Sequence, residues 1–234
     1  MIEITEKRKK IAIISVYSLI SIILLQFELG RYIFYPFTIL GTWFHEMSHG
    51  FMSLIMGGSF HQLEINSDGS GVALTSGDYF IGDLARGFVA LAGPIGPTIA
   101  GTIFIVASKE EKTSKIALIL LSILLISSSI IWVRNWFGTP IILLFGVLCA
   151  YSSIKGSIKL QKNLILFLGI QACISVYMSI SYLMIESFDK NGEVMMSDTG
   201  NMEKYLFLPN QVWGCIIIFV SFFAIWRSFK YLLK

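Results

Sequence analysis

The sequence predicts an all-α polytopic membrane protein, with about seven transmembrane helices and a short β-hairpin after the second. Three observations predict it. Hydrophobic residues make up 55% of the 234 residues and charged ones only 14%, where a soluble domain usually carries about 25% charged residues. The apolar residues gather in seven stretches of roughly spanning length, with the charges in short runs between them. Tyr and Trp cluster near the ends of these stretches (Tyr32, Tyr35, Tyr79, Trp132, Trp136, Tyr205, Trp213, Trp226, Tyr231), where amphipathic rings suit the membrane–water interface. The pattern excludes a secreted disulfide scaffold, a disordered chain and an ordinary cytosolic enzyme. A net charge of +3 is too small and too scattered to indicate a nucleic-acid partner.

The first stretch, 11–27, follows a basic run at 7–10 with no small-residue cleavage site after it, and reads as an uncleaved span. The second, 32–56, ends where Gly57 and Gly58 stop a helix. Residues 60–65 (FHQLEI) and 72–76 (VALTS) then flank NSDGSG, a β-hairpin with a Gly-rich turn. The third, 84–107, carries Pro94, Pro97 and several glycines, which let helices approach closely and free backbone groups for other partners. Stretches 116–133, 136–154 and 163–185 follow. A long polar connection, 186–210, precedes the last stretch, 211–229. With seven spans, the hairpin, Arg134 and the 186–210 connection share one side of the membrane. Cys149, Cys173 and Cys215 lie alone in separate apolar stretches, so neither a disulfide nor a cysteine metal site is expected.

The second stretch contains GTWFHEMSHGF, and within it His45-Glu46-Met47-Ser48-His49, an HExxH pattern. At i and i+4 the two imidazoles lie on one helix face and can hold one Zn²⁺, with Glu46 in reach of a water beside it. Such charges are expensive to bury in an apolar helix without partners or metal. His49 falls about 12 Å from the Gly end of the helix, inside the bilayer but near one face. The rival reading is a polar cluster that bonds neighbouring helices.

These features resemble the site-2 protease family of intramembrane zinc metalloproteases, especially its smaller bacterial relatives. HEMSHG resembles the family's zinc helix, the Gly-Gly end with SDGSG its membrane-associated hairpin, and ALAGPIGPTIAG (90–101) its Gly-Pro segment. The resemblance is strongest over 32–107, within one membrane-embedded metalloprotease-like domain spanning 1–234. It implies zinc on His45 and His49, Glu46 as the catalytic base, and Gly93 and Pro94 beside the substrate.

Two positions depart from the family pattern. Three residues after Pro94, where many members carry Asn, stands Pro97. Where the family's late Asp-Gly motif supplies the third zinc ligand, this chain reads VRNWFGTP, with Arg134 and Asn135. A catalytic zinc normally takes three protein ligands and one water. Asp198, in MSDTG, is the leading choice for the third; otherwise it is a turn or N-cap aspartate. Asn135 is a weaker choice because a neutral amide binds zinc poorly. Asp68 and Asp78 read as turn residues, and His61 as a surface histidine on a strand.

The expected function is a zinc-dependent endopeptidase that cleaves membrane-protein or peptide substrates within the lipid bilayer, in an integral multi-pass protein of a bacterial cell membrane. The alternative is a non-catalytic scaffold that keeps the fold.

Overall fold

A computed structural model of the protein describes residues 2–190 and 192–234, with side chains from Ile11 onward except Lys190. The chain is mostly helical. In order it forms α1 (Ile2–Leu25), α2 (Glu28–Ile55), β1 (Ser59–Ile65), β2 (Gly71–Ser76), α3 (Asp83–Ala107), α4 (Glu111–Ile131), α5 (Gly138–Lys155), α6 (Ile158–Met178), α7 (Ile180–Leu183), β3 (Ser187–Lys190), β4 (Glu193–Met196), α8 (Asp198–Leu206) and α9 (Asn210–Leu232).

Each of the seven apolar stretches is helical, but the count of seven spans is not reproduced. Among the described residues five helices, α3 to α6 and α9, are long and apolar enough to cross a membrane. A sixth span is reached only by joining α1 to α2, which bend by 117° at a short break. The physical reason lies in α2. It carries Arg31, His45, Glu46 and His49, so its polar groups dilute the apolar run that length alone suggests. Gly30 permits the sharp turn, because a Cβ there would meet the Leu24 carbonyl.

The hairpin forms where its turn residues predict. β1 and β2 pair antiparallel, with Leu63 opposite Ala73 and Ile65 opposite Gly71, and the register shifts between Phe60 and Gln62. The outer side of β1 is occupied as well. Leu63 donates its N–H to the Trp132 carbonyl at 2.8 Å and accepts from Arg134 N–H at 3.1 Å. Trp132 stacks on Phe60 and its indole donates to the Phe60 carbonyl at 3.1 Å. The Asn135 amide donates to the Ile65 carbonyl and accepts from Ile65 N–H at 3.4 Å. This ties the end of α4 to the hairpin.

Asn135→Ala should therefore loosen β1. Leaving a buried backbone group unpaired costs about 1–3 kcal/mol, so a lower unfolding midpoint is expected, with metal uptake retained. An unchanged midpoint would refute this role.

The core runs between α2, β1, α4, α5 and α6, with Ile39, Trp43, Leu63, Leu118, Leu125, Ile142 and Ile165 almost wholly buried. A smaller cluster, Ala90, Leu183, Met202 and Ile217, seats α8 and α9 on α3. Two elements within 186–210 were not foreseen: the β3–β4 hairpin and α8. Both are short, and α8 is largely polar, so neither leaves a strong periodic signal.

Candidate metal centre

α2 and α3 pack closely enough that small residues of α3 face the HExxH turn. A Cβ on Gly93 would lie 2.1 Å from His49 Nε2 and 2.8 Å from His45 Nε2. A Cβ on Gly96 would lie 2.0 Å from Ser48 Oγ. Only glycine leaves room at these positions. Gly93→Ala is expected to push the imidazoles aside and reduce bound zinc well below one per chain by elemental analysis. Full zinc retention would show that the helices separate at little cost.

Asp198 reaches the same place from far along the chain. Ser197 is the N-cap of α8: its hydroxyl accepts from Gly200 N–H at 3.0 Å and donates to the Ile185 carbonyl. Ser197 N–H also donates to the Glu186 carbonyl at 2.9 Å. With capping done by Ser197, the carboxylate of Asp198 is not used as a cap. It sits at the first helical position and turns toward α2. Asp198 Oδ2 lies 2.9 Å from His45 Nε2, and Oδ1 lies 3.3 Å from His49 Nε2. The three ligand atoms all fall within 4.8 Å of one another.

The chemistry of this set fits a divalent metal. His49 Nδ1 lies 2.7 Å from the Val89 carbonyl. A carbonyl only accepts, so Nδ1 carries the proton and Nε2 keeps its lone pair toward Asp198. Asp198 Oδ2 is buried and makes no hydrogen bond, although His45 Nε2 is close. With His49 Nδ1 turned to a carbonyl, its Nε2, His45 Nε2 and the Asp198 carboxylate converge as a donor set that a cation can bridge. Two imidazole nitrogens and one carboxylate oxygen are a normal catalytic zinc set with one position left open.

Glu46 is buried on α2, next to His45 in sequence. The hairpin packs on it: a Cβ on Gly71 would lie 2.6 Å from Glu46 Cγ. Thr42 Oγ1 donates to the Gly69 carbonyl at 2.6 Å, and Tyr35 OH to the Ser67 carbonyl at 2.7 Å, which docks the hairpin turn along α2. A cavity of about 690 Å³ opens onto His45 and Glu46 between α2, α6 and the hairpin turn. Pro97 lines it too. Gly93 and Pro94 are buried, and Gly93 lies against the imidazoles.

The other candidates lie elsewhere. Both polar atoms of Asn135 are engaged with Ile65. Asp68 accepts from Ser70 N–H at 2.8 Å within the hairpin turn. His61 is exposed and bonds Ser76 across the hairpin. Asp78 lies in the loop after β2. Neither His61, Asp68 nor Asp78 joins the metal-ligating group found among the described residues. Sequence reasoning missed Gly71 and the capping role of Ser197. The run Ser-Asp-Thr-Gly did carry a helix-start signal, but one that fits either of its first two residues.

No curated protein and no solved structure matches the chain. The peptidase M50B-like family matches residues 13–228. That span includes the HExxH helix, the hairpin, the Gly-Pro helix and Asp198, so the chain belongs to the peptidase M50B-like family, within the site-2 protease group of membrane-embedded proteases.

Proposed function

We propose that the protein is a zinc-dependent intramembrane endopeptidase that hydrolyses peptide bonds of membrane-protein substrates. The observation that carries this reading is the convergence of His45, His49 and Asp198 beside buried Glu46, at the wall of a cavity. His45 Nε2, His49 Nε2 and an oxygen of Asp198 would hold the metal. Zinc supplies Lewis acidity, which makes water a better nucleophile at neutral pH and polarises a carbonyl. Glu46 takes the proton from the attacking water and later delivers it to the leaving amine. The Val89 carbonyl fixes the His49 ring, and Asp198 is fixed by the capped start of α8.

The peptide must be extended to be cut, because a helix shields its own carbonyls. The hairpin offers a place to hold it. Leu63 uses its outward N–H and C=O on residues 132 and 134. By antiparallel alternation its partner Ala73 turns its own backbone groups to the open side of β2. A substrate segment added there would run past Gly71 and Glu46. The seven apolar helices would bury this site in lipid, with α1 and α2 as one broken span or two.

The scaffold alternative drew its support from the missing Asn, where Pro97 stands, and from the missing Asp-Gly motif, where the chain reads VRNWFGTP. Asp198 supplies an acidic oxygen in its stead. Chelation tests the reading. Stripping zinc should abolish cleavage of a reconstituted membrane substrate, and stoichiometric zinc should restore it. Cleavage that survives complete, verified removal of zinc would overturn the proposal.

A further inference from the structure

Besides the Ser197 cap, the start of α8 has a second side-chain partner, Tyr182. The first amides of a helix have no partner within it. In α8, Gly200 N–H is taken by Ser197, whereas Asp198 N–H donates to Tyr182 OH at 3.2 Å. The backbone of the acidic ligand is therefore held by a side chain from α7. That side chain is itself held. Leu183, its neighbour, is almost wholly buried against α3, α8 and α9. The Tyr182 ring meets Phe188 of β3 edge-on, with centroids 5.7 Å apart. Tyr182 also lines the cavity shared with His45 and Glu46.

We propose that Tyr182 is a positioning residue for the metal centre: through its hydroxyl it sets the place of Asp198 relative to His45 and His49. Two ligands sit on one helix and keep their spacing by themselves. The third arrives on α8, where the amide of Asp198 itself is held by the Tyr182 hydroxyl in addition to the Ser197 cap of the helix. The hydroxyl contributes orientation, and the ring only packs. This rests on the metal-centre reading above.

The test uses the full chain in detergent and reads metal binding, with zinc and cobalt(II) as the probes and a chelator as competitor. Tyr182→Phe keeps the ring and removes the hydroxyl. It should weaken zinc affinity about 10–100-fold, the range for losing a partner that orients a ligand, and should change the visible absorption of the cobalt(II) form. Phe188→Leu disturbs the same ring but keeps the hydroxyl, and should leave affinity close to wild type. Wild-type affinity and spectrum in Tyr182→Phe would overturn the assignment. So would an equal loss in Phe188→Leu, which would make packing the cause. His45→Ala serves as the control. If folded wild-type protein took up no more metal than His45→Ala, the metal centre and the Tyr182 assignment would fall together. If wild type binds and Tyr182→Phe matches it, only the Tyr182 assignment falls.

Discussion

Glu46→Gln is expected to lower peptide cleavage by about 10²–10⁴-fold, the usual contribution of a positioned general base. The substitution is nearly isosteric, so the packing of Glu46 beneath Gly71 is retained. Glu46 is not among the grouped ligand atoms, so zinc content should stay near one per chain. The useful measurement pairs single-turnover cleavage with elemental analysis on the same sample. Lost activity with retained zinc assigns the proton transfer to Glu46. Unchanged activity would remove Glu46 from the chemistry and, with it, the proposed hydrolysis.

Asp198→Ala is expected to have the second large effect. It removes one of the three proposed ligands and leaves two imidazoles on one helix turn. The affinity loss should exceed the roughly 10–100-fold that follows loss of an orienting partner, and cleavage should vanish with the metal. Ser197 still caps α8 in this variant, because its bonds to Gly200 and Ile185 do not involve the Asp198 side chain. The fold should therefore survive, which separates loss of a ligand from loss of structure. Asp198→Asn sharpens the comparison, since a neutral amide of the same shape is a poor zinc ligand. Asn135→Asp, which puts an acid in the VRNWFGTP segment, should not rescue Asp198→Ala, because residue 135 sits against β1, where the Ile65 N–H still finds an oxygen to bond. Rescue would mean that the α4–α5 corner reaches the metal after all.

The parts of the site legible in the sequence are those set by local geometry. His45 and His49 share a face because any α-helix brings i and i+4 together. The hairpin was legible because NSDGSG contains the turn residues that reverse a strand. The number of spans was not legible in the same way. Counting apolar residues measures length, whereas the 117° bend between α1 and α2 depends on Gly30 meeting Leu24 and on what the helices pack against.

The acid that faces the imidazoles shows the limit most clearly. Asp198 and Asn135 both occupied plausible places in sequence, and Asp198 also suited an N-cap. Nothing local separates these roles. Packing separates them: Met202 and Leu183 seat α8 against α3, Ser197 takes the cap, and the end of α4 is spent on β1. The sequence by itself determined that this chain is membrane-embedded and carries two imidazoles and a carboxylate on one helix, because composition and helical period are properties of short windows. Only the tertiary structure decided which acid faces them, which strand covers Glu46 and where the cavity opens, because each depends on contacts between segments that no local pattern encodes.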